Sequence, residues 1–516
     1  MVIVTKQGKR YGVCLALFFL LFRLSAQKYD YLWLSGYDSN VGYDSLSGYL
    51  YGTSILDFSY SPCNIRYDSL AMNFDNTNTS YCDFDGRLLF YTNGIYIANT
   101  LNEKIKNSDS LNTGFVQDFW DPTIQTNGYR QYQGALALQS PSEQKFYLLH
   151  SYMDSFWNGT IYCRKLLYTS LDMSLEMGHG EVLDKNQILI ADTLGWELSA
   201  DKHGNGRDWW VLAQQRSTNC YYRILLNDSG VNVLPGLTCG GSVVNYSNIG
   251  SCCFSPDGLK YVYLSIPGGI NIFDFDRCLG TLSNPVYIPI PVFGDSIWIA
   301  NGVSISPNNR FLYVGATRHV YQYDLWASDI AASIDTVAVY DGHKAPFGSF
   351  FHTMQLGPDG KIYESCGNSE NVYHLIERPD EKGDSCLFIQ HGVQLPTFSL
   401  GVPNFPNYRL GALPGSPCDT LTGLAEEERA EKEKLLKVFP KPASDYVTID
   451  YGYTDWNKGG VVLEIVNETG QVAYTQMLPM YSGFQKINIT PFATGIYSAY
   501  IKRNNQIVAT ARFAKQ

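Results

Sequence analysis

Ser255-Pro256-Asp257-Gly258-Leu259-Lys260-Tyr261-Val262-Tyr263 is the stretch whose reading decides the fold. It returns as Ser306-Pro307-Asn308-Asn309-Arg310-Phe311-Leu312-Tyr313-Val314, and again as Gly357-Pro358-Asp359-Gly360-Lys361-Ile362-Tyr363. Turn positions 258, 309 and 360 stand 51 residues apart each time. Proline presets φ at the start of the turn, and Asp or Asn with Gly tolerates its left-handed position. The aromatic and β-branched run that follows reads as a strand. Looser copies lie upstream at Asp85-Gly86-Arg87-Leu88-Leu89-Phe90-Tyr91, at Asn205-Gly206-Arg207-Asp208-Trp209-Trp210-Val211 and at Ser142-Glu143-Gln144-Lys145-Phe146-Tyr147-Leu148. Isolated hairpins are common, but a constant period over three consecutive copies marks a repeat fold. Repeats of about fifty residues fit four-stranded blades around an axis, so the predicted fold is all-β, a β-propeller.

From Tyr29 to Leu410 the chain reads as strands and turns without a long amphipathic helix. Roughly 380 residues at about 50 per blade predict seven blades, with six or eight left open by the longer early intervals. The 38 Tyr, 26 Phe and 9 Trp, with 46 Gly, suit such an aromatic, turn-rich protein.

Lys6, Lys9 and Arg10 precede the apolar run Val13 to Phe22 and the small residues Ser25-Ala26, which reads as a secretory signal peptide over 1–26 cleaved after Ala26. The run is too short to span a bilayer, and no later stretch approaches that length, so no transmembrane segment is expected in the mature chain. The formal charge is −11, and removing the leader with its four basic residues takes it to −15. This acidity excludes a general nucleic-acid binder, which must neutralise phosphates. Eleven cysteines follow the leader. Oxidation is expected on export, with Cys63–Cys82 and Cys366–Cys386 as plausible local pairs and a central group at Cys220, Cys239, Cys252, Cys253 and Cys278.

Residues 411–438 read as a linker with a short charged helix carrying the i,i+4 pairs Glu428–Lys432 and Glu433–Lys437. Residues 439–516 then predict a small immunoglobulin-like β-sandwich, with strands at 446–451, 461–466, 472–477, 484–489, 495–501 and 506–513.

Two resemblances add to this. Asp83-Phe84-Asp85-Gly86-Arg87-Leu88-Leu89-Phe90-Tyr91-Thr92-Asn93-Gly94, Lys202-His203-Gly204-Asn205-Gly206-Arg207-Asp208-Trp209-Trp210, Phe273-Asp274-Phe275-Asp276-Arg277-Cys278-Leu279-Gly280 and Pro403-Asn404-Phe405-Pro406-Asn407-Tyr408 resemble a family of secreted Bacteroidetes propellers. Pro440-Lys441-Pro442-Ala443-Ser444, Glu468-Thr469-Gly470-Gln471-Val472, Thr494-Gly495-Ile496-Tyr497 and the basic end at Lys515 resemble the type A-like C-terminal sorting domain of type IX secretion cargo. Lys441 departs from the Asn usual between those prolines. The second resemblance implies Pro440, Pro442, Gly470, Gly495 and Tyr497 as the sorting motif. It also implies the type IX machinery and its processing protease as partners, and release or surface attachment after removal of the domain. Seven Asp-Ser/Thr-apolar triplets, at Asp44, Asp68, Asp109, Asp192, Asp295, Asp335 and Asp419, resemble the Bacteroidetes O-glycosylation acceptor, although Asp and Ser are also ordinary at turn-to-strand junctions.

Candidate chemistry is sparse. Asp201, His203, Asn205 and Asp208 alternate as calcium-loop ligands do, but Leu212 stands where an EF-hand needs Glu, so a hairpin tip at Asn205-Gly206 is the better reading. Trp209 and Trp210 would then face opposite sides of the next strand. Asp274 and Asp276 share a face and read as acceptors at a blade corner. His203, Asp208, His352 and Glu197 are the ligand-binding candidates, the last two with Asn248 and Asn301 at inner-strand starts near the axial channel. No catalytic set, metal site or cofactor is expected: Gly-x-Ser-x-Gly, HExxH and a phosphate loop are all absent from the sequence. The expectation is a secreted or cell-surface propeller that binds a glycan or protein ligand. The alternatives are a hydrolase or lyase with a channel-mouth site, with or without metal assistance, and a structural or adhesion component of the envelope.

Overall fold

The computed structural model describes residues 27–516 apart from 115–127, 142–144, 156–160, 244–249, 266–268, 291–301, 345, 420–435, 452–460, 479–482 and 504–505. The leader, most of the charged helix expected over 424–438, Asn248, Asn301, the Asp295 triplet and the loose turn copy at Ser142 fall outside the described residues.

Seven antiparallel sheets follow one another along the chain. Blade 1 runs from Leu32–Tyr37 to Asn64–Asp68, and blade 2 from Thr79–Cys82 to Ile97–Asn99. Blade 3 runs from Ala135–Gln139 to Glu181–Ile190, and blade 4 from Ser199–Lys202 to Gly230–Val233. Blade 5 spans Gly250–Phe254 to Thr281–Ile288, blade 6 Gly302–Ile305 to Asp335–Val339, and blade 7 Met354–Leu356 to Phe388–Ser399. Within each blade neighbouring strands are sequential, and the first strands of blades 4, 5, 6 and 7 lie side by side. The last strand of blade 7 packs on blade 1, where Thr397 Oγ1 meets Ser54 Oγ at 2.7 Å. The ring therefore closes as a seven-bladed propeller.

The repeated turn explains itself at atomic level. Ser255 Oγ donates to Asp257 Oδ1 (2.5 Å) and accepts from the Lys260 amide (2.9 Å), while Gly258 N–H returns to Ser255 O with φ +72°. Ser306, Asn308 and Asn309 repeat the pattern with Asn309 at φ +64°, and Gly360 does so at φ +79°. Each turn launches an aromatic strand such as Tyr261–Tyr263 or Phe311–Tyr313, whose side chains are buried between blades. Trp209 and Trp210 fall on opposite faces, in different core clusters.

After blade 7 the chain turns into the axis. Asn404 donates from Nδ2 to Ala135 O and Leu198 O, each at 3.0 Å. Its backbone N–H reaches Asn78 O, and its carbonyl accepts from Thr79 Oγ1. Three residues on, Asn407 Nδ2 bonds Pro256 O (2.7 Å) and Tyr408 hydroxyl bonds Ala137 O (2.8 Å). Partners in blades 2, 3, 4 and 5 are reachable together only from the centre of the ring. Val402, Phe405 and Tyr408 join the largest core cluster there, Phe405 against Trp33 and Tyr408 against Tyr81 and Trp209. The segment leaves past Arg277, which bonds Gly411 O and pairs with buried Asp201, and is stapled by the disulfide Cys278–Cys418.

That disulfide and Cys220–Cys239 correct the local pairs expected from sequence. Cys63, Cys82, Cys366 and Cys386 are free thiols, Cys63 half-buried and the other three buried.

Beyond the linker, Leu436–Phe439, Tyr446–Tyr451 and Gly483–Asn488 form one sheet, and Val472–Leu478, Val461–Asn467, Gly495–Arg503 and Gln506–Lys515 another. Val447, Ile449, Leu463, Ile465, Ile487, Ala499 and Ile501 fill the core between them. Six of the seven strands match the expected ones. Residues 436–438, expected at the end of the charged helix, belong instead to the strand Leu436–Phe439, which pairs with Tyr446–Tyr451.

Glu364 lies fully buried at the seam of blades 6 and 7, its carboxyl against Gly315, where any side chain would collide with it. Burial pushes this carboxyl well above its usual range, with the His352 main chain opposing.

Three outcomes are expected. Asn404→Ala leaves buried carbonyls unpaired and lowers stability by about 3 kcal/mol, read as a fall in the urea midpoint, whereas Asn407→Ala costs about 1 kcal/mol. A midpoint unchanged in Asn404→Ala would remove the axial segment from the stability argument. Glu364 has a folded pKa above its unfolded one, so its contribution is fully present below the unfolded pKa and declines as pH rises toward the folded value. Glu364→Gln should therefore gain thermal stability over wild type progressively from pH 5 to 8, and a pH-independent difference contradicts this. Non-reducing peptide mapping should find Cys220–Cys239 and Cys278–Cys418, with no Cys63–Cys82 bridge.

Candidate functional site

The inner strands begin at one end of the ring and reach the repeated turns at the other. At the starting end Asn76, Tyr132, Gln133, Ser251, Thr353, Met354 and Gln355 surround a small mouth floored by Val402 and Pro403. The cavity is ≈ 10 Å³, about the room of one water. Its rim is built mostly from amides and hydroxyls. Gln133 spans from blade 3 to blade 5, accepting Cys252 N–H (2.8 Å) and donating to Cys252 O (2.9 Å). Gln355 Oε1 accepts Phe405 N–H, and Thr353 Oγ1 pairs with Ser365 Oγ at 2.8 Å. The Tyr132 ring meets His352 edge-on at 4.5 Å. Asp75, next to the rim, pairs with Arg130 at 2.9 Å; burial raises its carboxyl while Arg130 opposes.

A tyrosine-rich hairpin stands at the same end. Tyr43–Asp44 pairs with Tyr49–Leu50 in the connection between the first two strands of blade 1. Tyr49 and Tyr51 pack on Phe398, leaving Tyr43 67% and Leu46 96% exposed. Tyr37 lies near Asp38 and Asp75, its hydroxyl pushed up to about 12, chiefly by burial.

The four expected ligand residues are not brought together. His203 and Asp208 belong to the Asn205-Gly206 hairpin tip at the turn end. His203 Nδ1 accepts Asn205 N–H (3.0 Å), Asn205 Nδ2 donates to Asp208 Oδ2 (2.8 Å), and Arg207 pairs with Asp208. Glu197 and His352 are at the mouth end, as expected of inner-strand starts, but both are buried. Glu197 Oε2 accepts from Tyr263 hydroxyl (2.7 Å) and Trp196 N–H (3.0 Å); burial raises its carboxyl, and the Tyr263 bond opposes. Burial holds the His352 ring neutral, with its pKa lowered to about 3. Asp276 caps Cys278 and Leu279 N–H groups, whereas Asp274 binds Lys260 and Asn284 side chains. Among the described residues, no three His, Cys, Asp or Glu side chains are placed to hold a metal ion.

Sequence reading missed the rim residues Asn76, Tyr132, Gln133 and Gln355. In three of the described triplets the Asp side chain accepts a following amide. Asp44 Oδ1 accepts Leu46 N–H, and Asp68 and Asp192 accept the next amide. Leu70, Leu111 and Leu194 are buried, while Ser45, Ser69, Ser110 and Thr336 are exposed.

In the sandwich, Tyr497 stacks on Phe513 (5.6 Å) and donates to Ala493 O (2.9 Å). Gly470 takes φ +82° in a turn where Asn467 Oδ1 accepts Thr469 and Gln471 N–H groups. Pro440 and Pro442 precede Ala443, whose N–H bonds Ala514 O in the last strand.

No curated protein matches the chain. Among solved structures, a candidate 6-phosphogluconolactonase from Bacteroides uniformis is 11% identical with a TM-score of 0.43, covering 72% of this chain and 97% of its own. A functionally unknown protein from Desulfotomaculum acetoxidans is 12% identical with a TM-score of 0.37 over 72% and 99%. A quinonprotein alcohol dehydrogenase-like protein from Bacteroides thetaiotaomicron is 11% identical with a TM-score of 0.33 over 73% and 77%. No described helix is long and apolar enough to cross a membrane. Residues 437–516 match the secretion system C-terminal sorting domain. This stretch of the chain is a type IX secretion sorting domain, and it directs export to the cell surface or the extracellular space.

Proposed function

We propose that the exported propeller is a binding protein for a neutral, hydroxyl-rich ligand, a glycan, taken at the mouth end of the ring. The observation that carries this reading is the pairing of an amide-and-hydroxyl rim with exposed tyrosines at the same end. Neutral amides and hydroxyls match sugar hydroxyls without charge selection, and aromatic faces cover the apolar face of a pyranose. The axis below the rim is filled by the chain's own Val402–Tyr408, so the ligand lies on the mouth rather than in a channel. His352 supports Tyr132 from behind, and Glu197 fixes the Tyr263 hydroxyl at the next seam. His203 and Asp208, at the far end, brace a hairpin in this reading.

The partners on the way out are the type IX machinery and its processing protease, with the 411–438 segment separating cargo from label. The exposed hydroxyls at Ser45, Ser69, Ser110 and Thr336 are the candidate O-glycan acceptors.

Two tests follow. On a glycan array, the full chain should show selective binding that Tyr132→Ala and Tyr43→Ala each weaken at least tenfold, with Trp326→Ala at the turn end unchanged. Binding equal in all three variants, or no glycan bound, contradicts the mouth reading. A chain ending at Asp419 should stay inside the outer membrane of its host, and its appearance in the medium at wild-type levels would sever export from the terminal sandwich.

A further inference from the structure

His391 sits in a bulge of the last strand of blade 7, between the pairs Tyr373–Val393 and Leu375–Ile389. Its φ of +56° is uncommon for a residue with a side chain, and bulges re-aim the side chains they carry. The His391 backbone N–H donates to His374 Nδ1 (3.2 Å), and His374 Nε2 donates to Ser349 O (3.1 Å), so both nitrogens of His374 are committed. His391 Nε2 meets Asp341 Oδ2 at 3.1 Å. A carboxylate only accepts, so that nitrogen carries a ring proton, and in the neutral ring Nδ1 keeps a lone pair. Nδ1 is shielded from solvent and has no hydrogen-bond partner. The one other imidazole at hand is His343, exposed, with its ring centroid 4.2 Å from that of His391 and its backbone N–H held by Asp341 Oδ1 at 2.9 Å.

A carboxylate behind an imidazole, with the opposite nitrogen left as a bare lone pair, is the outer-shell arrangement that orients metal-ligating histidines. Imidazole suits zinc, copper and nickel. We propose that His391 Nδ1 and the His343 imidazole form a two-nitrogen site for a divalent transition cation such as Zn²⁺, with Asp341 as a positioning residue and water completing the coordination. His343 is exposed on the connection between blades 6 and 7, and ligation requires its ring to turn from the contact it makes with His391. The site stands at the rim of blade 7 and does not depend on the ligand reading of the mouth.

The test is calorimetric titration of the full, untagged chain with Zn²⁺, and with Mg²⁺ as a hard-cation control. Wild type should bind one Zn²⁺ per chain at about pH 7.5 and lose most of that affinity near pH 5.5, where protons compete for imidazole. His343→Ala and His391→Asn should each weaken binding at least tenfold; Asn tolerates the left-handed backbone at 391. Asp341→Asn should weaken it by about 10- to 100-fold, the effect of losing an outer-shell partner. His179→Ala should bind as wild type does. The proposal is overturned by absence of Zn²⁺ binding in wild type, by Mg²⁺ binding as tightly as Zn²⁺, or by unchanged affinity in His343→Ala or His391→Asn.

Discussion

The Asn404 carboxamide is the constraint on which the ring depends. From the centre it bonds two carbonyls in two blades, while its own peptide group bonds a third. A closed ring of sheets has a hole wherever its inner strands cannot meet, and seven twisted sheets leave one wide enough for a peptide. Water in that hole would satisfy the inner carbonyls but give no apolar burial. An irregular segment carrying Asn404, Phe405 and Tyr408 satisfies the carbonyls and packs the core together. Phe405 and Tyr408 reach Trp33, Tyr81 and Trp209, which belong to blades 1, 2 and 4. The segment follows the last strand of blade 7. Arg277 and Cys418 then hold its exit.

Part of this was legible in the sequence. The 51-residue period gave the blade unit because the turn chemistry is local: Ser255, Asp257 and Gly258 bond one another and need no distant partner. The terminal sandwich was legible for the same reason, each strand alternating between two turns. The Pro403-Asn404-Phe405-Pro406 phrase was visible as a word, but its place was not, since the hydrogen-bond partners of the Asn404 side chain and carbonyl lie from 206 to 325 residues away. Residues 436–438 were misread because charge at Glu433 and Lys437 suggested a helix, whereas pairing with Tyr446–Tyr451 decides their conformation.

The candidate site was less legible. Glu197 and His352 stand just before inner strands, yet side-chain direction is set by neighbouring blades, and both are buried. His203 and Asp208 drew attention through alternation of polar residues, which a tight turn also produces. The rim residues escaped because Gln133 and Gln355 are ordinary in sequence and gain meaning only from the carbonyls they reach across the axis.

The cysteines carry the last step. Two disulfides join sites where the backbone has already brought strands or segments together, and the second ties the axial segment to blade 5. The other seven cysteines of the exported chain are thiols. Burial raises them, Cys63, Cys163 and Cys253 to about 12 and Cys386 to about 11. A thiol held protonated neither attacks a disulfide nor exchanges with one. Five of the seven are buried, and Cys63 and Cys253 are half-buried. Four cysteines are joined in disulfides, and two of them secure the segment that fills the ring.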